Sequence, residues 1–197
     1  MARPLAKDHD DKRRLILTQA AALFADAGFD RATVAEVAQA CGISKANIYH
    51  YYGSKDEILF DILDGYLKAL RDRICGMALT GTAEERFRDT LTEVLLAYQG
   101  ADKEHRLQTS SIRHLPEAHQ QVLIDYQRDL VRHMGQLISD VAPGVFSGDA
   151  RKLRSATMSV FGMLNWLYMW NRHADEGERR DYADLVAGLC LKGLPGL

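Results

Sequence analysis

A chain of 197 residues with 47% apolar content has material for one sizeable core, or for a small module joined to a larger one. A net charge of −2 and a pI near 6.4 exclude a protein that coats nucleic acid indiscriminately. The charge is uneven, however, with eight Lys/Arg against six Asp/Glu in residues 1–55 and seventeen against twenty-one in the rest, so a small basic module precedes an acidic body.

The N-terminus, MARPLAKDHDDKRR, lacks the apolar centre of a signal peptide and reads as a polar arm. Helical periodicity then dominates to the end of the chain, and no segment alternates apolar and polar residues long enough to make a strand, so the fold class is all-α. A first helix over about 11–27 puts Ile16, Ala20, Leu23, Phe24 and Ala27 on one stripe. Thr33 with Glu36 forms a capping box for a short helix at about 34–40, which Gly42 ends in the left-handed conformation. Ser44 caps a second short helix at about 44–51, and Ser54 with Glu57 reads as another capping box, opening a long helix over about 55–78 with Leu59, Ile62, Leu63, Tyr66, Leu70 and Ile74 on one face. Helix, short helix, turn and short helix make a helix-turn-helix unit.

The second short helix carries the chemistry. Within about two turns it offers Lys45, Asn47, Tyr49, His50 and Tyr51, all able to donate hydrogen bonds or charge. Ile48 and Tyr52 fall on the stripe that faces the bundle, which leaves Lys45, Ala46 and Asn47 on the opposite face, near the end that major-groove readers present to base edges. Asn pairs bidentately with adenine, Lys reaches guanine or a phosphate, and Ala touches a thymine methyl.

The stretch AGFDRATVAEVAQACGISKANIYHYYGSKDEIL resembles the DNA-binding domain of the TetR family of bacterial repressors in its helix starts, its turn glycine, the tyrosine after Ile48 and the lysine that opens the next helix. The resemblance spans roughly the first third of the chain. It implies that Tyr49, Tyr51 and Lys55 grip the DNA backbone, joined by Thr33. A phosphate near Lys55 would also meet a helix N-terminus, which favours anions. Gly53 departs from the family, which often has a larger residue there.

The body should hold five more helices, near 83–99, 103–112, 117–141, 149–173 and 178–193, for about nine in all. Thr82 with Glu85 caps the first, Pro116 suits the first turn of the third, and Ala142-Pro143-Gly144 stops it. The expected division is a DNA-binding domain at 1–55, with its N-terminal arm, and a helical ligand-binding and dimerisation domain at 56–197. In TetR-like proteins the last two long helices form a four-helix bundle across a two-fold axis. This implies a homodimer in which Tyr182, Leu185, Val186 and Leu189 of the stripe that also holds Cys190 supply interface.

Asn165-Trp166, Trp170 and Arg172, followed by a loop and Lys-Gly-Leu, are similar to the subgroup of the family whose inducers are acyl-CoA thioesters. An amide and two indoles beside a guanidinium suit an apolar slot with a polar mouth. Arg113 and Arg128, with Arg106 and His114, are further candidates for the carrier's phosphates. An alternative of the same family is a regulator of efflux induced by a lipophilic drug. That ligand would need a buried acidic cage, which the chain does not display.

No G-x-S-x-G, Gly-rich phosphate loop or H-E-x-x-H appears, so no catalytic residue is expected; an enzyme using the body as an active site is a further alternative. Cys41, Cys75 and Cys190 are odd in number and far apart, so they suggest neither disulfides nor a zinc site. The most apolar run, from Ala156 to Trp170, contains Ser159, Gly162 and Asn165 and falls short of the roughly 20 residues that span a bilayer. The sequence therefore predicts a cytoplasmic regulator with no cofactor, no metal and no membrane association. Its partners would be double-stranded DNA with a palindromic operator, a second copy of itself and a small-molecule inducer.

Overall fold

The computed structural model describes residues 3–171 and 173–193, with side chains from residue 9 onward. Among these the chain forms α1 (Arg3–Ala27), α2 (Val34–Ala40), α3 (Lys45–Tyr49), α4 (Lys55–Cys75), α5 (Ala83–Ala97), α6 (Asp102–Ser111), a 3-10 turn at Ile112–His114, α7 (Glu117–Val141), α8 (Ala150–Trp170) and α9 (Glu176–Gly193). The described residues contain no strand. The all-α expectation holds, and the helices fall close to where periodicity and caps put them.

Two local differences have simple causes. The arm before residue 11 is helical, because Pro4 lies in the first turn, where a missing N–H breaks no helical bond, and Arg14 pairs with Asp11 one turn away. At the start of α4, Ser54 Oγ accepts from Glu57 N at 3.1 Å, but the Glu57 carboxylate takes the N–H of Gly53 at 2.8 Å. A Cβ on Gly53 would meet that carboxylate at 3.2 Å, so glycine keeps the bond unobstructed.

The packing divides the chain into two compact units. The first comprises residues up to Leu67 together with Lys103–Ile124, and the second comprises Lys68–Asp102 with Asp125–Leu197. No linker marks the boundary because α4 and α7 are each continuous through it. Residues 103–124 join the first unit through particular contacts. His114 stands 3.2 Å from the Asp30 carboxylate and packs its ring near Phe29, Arg106 approaches Asp26, and His119 stacks on Phe60 with ring centroids 4.0 Å apart.

The core of the first unit is built from Ile16, Ala20, Phe24, Val37, Ile48, Ile58, Leu59 and Leu63, all buried. In the second, α5 packs along α9 and both meet α8, burying Phe87, Leu91 and Leu95 against Val160, Leu164, Val186 and Ala187. Each such large side chain contributes roughly 1.5–3 kcal/mol when fully withdrawn from water. One charged group is buried with them. Arg179 of α9 is 4% exposed, and its guanidinium donates to Ala174 O at 3.1 Å, just before its own helix, and to Leu95 O at 3.2 Å, in the last turn of α5, where the helix dipole is negative. A capping box absent from the sequence prediction opens α9: Asp175 Oδ1 accepts from Glu178 N, and Glu178 Oε2 accepts from Asp175 N, each at 2.9 Å.

Candidate nucleic-acid interface

The helix-turn-helix is set by three local devices. Thr33 and Glu36 form the complete capping box of α2, with Glu36 N donating to Thr33 Oγ1 and Glu36 Oε2 accepting from both the hydroxyl and the N–H of Thr33. Gly42, at φ +66°, turns the chain out of α2 in a conformation that costs a side-chain-bearing residue energy. Ser44 Oγ then accepts from Asn47 N at 3.1 Å, so the Ser44 hydroxyl is used in starting α3. The Glu36 carboxyl is held below its ordinary value, first by the Thr33 hydroxyl and then by its N–H.

α3 has one buried side chain, Ile48, and Tyr52 follows it into the core. The rest of the short helix faces outward. Lys45, Ala46, Tyr49 and His50 are exposed, Asn47 and Tyr51 are half-buried, and Thr33 is exposed at the start of α2. The Lys45 ammonium leans toward the Tyr49 ring at 5.7 Å, and Tyr51 lies against the ring of His9 at 4.7 Å between centroids. Charge, amide and phenol groups thus sit on a short helix whose opposite side is fixed in the core.

Two residues that sequence reasoning missed hold that helix. Arg13 of α1 makes a two-point pair with Asp61 of α4 at 2.8 and 3.1 Å, and Tyr52 Oη donates to Asp61 at 2.5 Å while accepting from Arg13 Nε at 3.2 Å. Burial, reinforced by the hydrogen bond to Asp61, pushes the Tyr52 phenol well above its usual value. The only signal in the sequence was a tyrosine at a core position, since a buried phenol needs a partner. Lys55 is half-buried at the start of α4, and its Nζ is 2.7 Å from Phe29 O and 3.0 Å from Ala32 O, in the turn after α1.

With this geometry in hand, comparison with known proteins decides the family. Residues 16–62 match the model of bacterial regulatory proteins, tetR family, and residues 80–194 match the tetracyclin repressor-like C-terminal domain. The chain belongs to the TetR family. It is a DNA-binding transcriptional repressor of that ligand-responsive type. Among similar proteins are the HTH-type transcriptional repressor KstR2 of Rhodococcus jostii, 28% identical over 157 residues that cover 76% of each chain, and a TetR-family regulator from Bordetella parapertussis. The latter superposes with a TM-score of 0.86 at 27% identity over 94% of this chain and 96% of its own. The same fold occurs in AibR, solved with isovaleryl coenzyme A and operator DNA, with a TM-score of 0.76 at 22% identity over 90% of this chain and 97% of that one.

In this TetR-family chain the ligand candidates stand in different local surroundings. Asn165 accepts from the buried Tyr98 hydroxyl at 2.8 Å, which makes it part of the packing between α8 and α5. Trp166 and Trp170, on the same helix, are 60% and 59% exposed in the single chain. Arg128 is exposed and paired with Asp125 at 2.8 Å in the second unit, whereas Arg113 is an exposed residue of the first. Arg172 lies outside the described residues.

The dimer candidates separate in a different way. Leu185 and Leu189 are each 58% exposed, but Val186 is 1% exposed and belongs to the core beneath them. Tyr182 is half-buried, donates its hydroxyl to Met163 O at 3.0 Å, and meets Trp170 edge-on at 5.4 Å. The apolar stripe read from the sequence is therefore two adjacent stripes, one facing in and one facing out. The outward one joins Met158, Trp166, Met169 and Trp170 as exposed large apolar side chains of α8 and α9. Among the described residues no helix is long and apolar enough to cross a membrane, and no cluster of His, Cys, Asp or Glu is suited to a metal ion.

Proposed function

We propose that the protein is a homodimeric repressor whose two α3 helices enter successive major grooves of a palindromic operator. The observation that carries this is the outward row of Lys45, Ala46, Tyr49 and His50 on a helix whose inner side is pinned by Ile48 and Tyr52. Lys45, Ala46 and Asn47 read base edges, while Thr33, Tyr49, Tyr51 and His50 supply phosphate contacts; Ser44 contributes by starting the helix. The outward face of α8 and α9, with Trp166, Trp170, Leu185 and Leu189, supports dimerisation through these two helices. Two-fold symmetry then requires half-sites about one helical turn, roughly 34 Å, apart.

The ligand reading is that an acyl-CoA thioester, or a related catabolic intermediate, releases the operator by binding preferentially to a conformation whose reading helices no longer match that spacing. Its support is the likeness of residues 165–172 to acyl-CoA-responsive relatives and the existence of a family member solved with isovaleryl coenzyme A. Asn165, Trp166 and Trp170 are the residues of this stretch that would meet the acyl group.

The decisive experiment selects duplexes from a random-sequence pool on the purified protein and measures binding of the winner alone and with a panel of acyl-CoAs, matching free acids and lipophilic cations. A palindrome bound by a dimer and released by a thioester is the expected result. Failure to enrich any sequence would remove the DNA reading. Release by free acids or cations alone would replace the ligand class, and turnover of a thioester would favour an enzyme.

A further inference from the structure

Two helices of the second unit each carry a glycine at the centre of the outward face. On α9 the buried side chains are Arg179, Ala183, Val186, Ala187 and Cys190, and the helical repeat puts Gly188 on the opposite side, with Asp184, Leu185 and Lys192. On α8 Gly162 lies opposite the buried Val160 and Leu164, with the exposed Met158 and Trp166 one turn to either side. Neither glycine is required by its own chain: the φ of each is negative, and a Cβ at either position would meet no heavy atom within 4 Å. Glycine is less stable than alanine inside a helix, and nothing within the chain offsets that loss. Openness alone does not mark a contact, since Gly65 of α4 is equally open but stands among Asp61, Asp64 and Lys68.

The surroundings of Gly188 are of another kind. Leu185 and Leu189 are each 58% exposed, and with Asp184, Lys192 and Gly193 they line an open groove over Gly188. A missing side chain between apolar neighbours lets a second helix approach closely. The charges indicate which helix that is. Asp184 and Lys192 are exposed one turn before and one turn after Gly188. Asp184 meets Arg88 of α5 at 3.2 Å, but its side chain is 72% open to water and has room for another cation. Where two copies of α9 cross in antiparallel sense at Gly188, positions equally far before and after the crossing stand opposite one another. Each Asp184 then faces the partner's Lys192, and both contacts are attractive. A helix of unrelated sequence would not require opposite charges set evenly about the glycine.

We propose that the two-fold axis of the dimer passes at Gly188, where α9 of one protomer crosses α9 of its partner in antiparallel sense and Asp184 of each pairs with the partner's Lys192. The proposal rests on the homodimer reading above and sets its register.

The test follows dimerisation of full-length variants by sedimentation over a dilution series at low salt. Lys192→Glu and Asp184→Lys each bring like charges together at both contacts, so each should weaken the homodimer on the order of 10-fold. Mixed in equal amounts, the two variants should form a heterodimer in preference to either homodimer, because only the mixed pair has opposite charges at both contacts. Gly188→Leu fills the crossing from both sides and should weaken the dimer on the order of 100-fold, whereas Gly65→Leu should leave it unchanged. A mixture with no preference for the heterodimer, or a Gly188→Leu protein that dimerises like wild type, would overturn the proposal. So would a loss with Gly65→Leu as large as that with Gly188→Leu. Should Gly188→Leu fail to fold, the mixture still decides, because residues 184 and 192 are exposed. Wild type that stays monomeric at every concentration would remove the homodimer reading and this proposal with it. A wild-type dimer indifferent to all these changes would remove only the register.

Discussion

Two exposed surfaces of the molecule differ in what they offer to water. The outward side of α3 presents an ammonium, a phenol and an imidazole, groups that water solvates well and that lose little by standing free. The outward side of α8 and α9 presents Met158, Trp166, Met169, Trp170, Leu185 and Leu189, which water solvates badly. Exposed large apolar side chains on two packed helices support the proposed dimerisation, because monomeric proteins rarely leave a large apolar patch uncovered. The contrast separates a surface that waits for a charged partner from one suited to a partner shaped like itself. In each, a neighbouring residue one step along the helix is fully buried, so small changes of position should produce failures of different kind.

The sharpest way to break this comparison uses two adjacent residues of α9. Val186→Glu puts a carboxylate into a core position that is 1% exposed, with an expected loss of several kcal/mol, and the chain should fail to fold or aggregate. Leu185→Glu combined with Leu189→Glu alters only outward positions, so each protomer should melt as a folded unit while light scattering reports a monomer. If both variants behaved alike, the division of the helix into inward and outward stripes would be wrong.

On the α3 surface the expected effects are smaller. Asn47→Ala should cost about 1–3 kcal/mol in binding and relax preference at one base position, whereas Lys45→Ala should weaken binding with a changed salt dependence if it meets a phosphate and an altered base preference if it meets guanine. Selection of duplexes with each variant distinguishes these outcomes. Tyr52→Phe sharpens the comparison from the inside. It leaves the reading face intact but removes the hydroxyl shared by Arg13 and Asp61, and should cost about 1 kcal/mol of stability, read by denaturant melts, with base preference unchanged.

Much of the architecture was legible because helix ends are written locally. Thr33 with Glu36 and Gly42 bracket α2, Pro116 and Ala142-Pro143-Gly144 bracket α7, and Thr82 with Glu85 starts α5, each through bonds between residues only a few positions apart. The inward side of α3 was legible too, since only Ile48 and Tyr52 could face a core. What was not legible depends on residues far apart in the chain. Periodicity groups Tyr182, Leu185, Val186 and Leu189 together but cannot say which half of a broad apolar face meets α5. Nothing near Lys55 in the sequence shows that the carbonyls of Phe29 and Ala32 stand beside its ammonium. Residues 103–124 carry no mark that assigns them to the first compact unit; the pairing of His114 with Asp30 and the stacking of His119 on Phe60 are tertiary facts.

The smallest expected effect concerns a device the two regions share. Glu36 in the first unit and Glu85 in the second each close a capping box, and both carboxyls are held below their ordinary value of 4.5, but with different leading causes. For Glu36 the Thr33 hydroxyl contributes most and the backbone N–H second, whereas for Glu85 the Thr82 N–H comes first and the hydroxyl second. Because the folded-state values are depressed, the stabilisation each box gives is present above about 4.5 and is lost as the pH falls through the lower folded-state value. Acid should therefore loosen both helix starts in the same window. Replacing threonine by valine removes the hydroxyl and leaves the N–H, so Thr33→Val should raise the titration of Glu36 further than Thr82→Val raises that of Glu85. Carboxyl carbon shifts followed by NMR from pH 6 downward would measure both. Equal responses would mean that the two boxes are electrostatically alike, and a larger response at Glu85 would reverse the assigned order of causes.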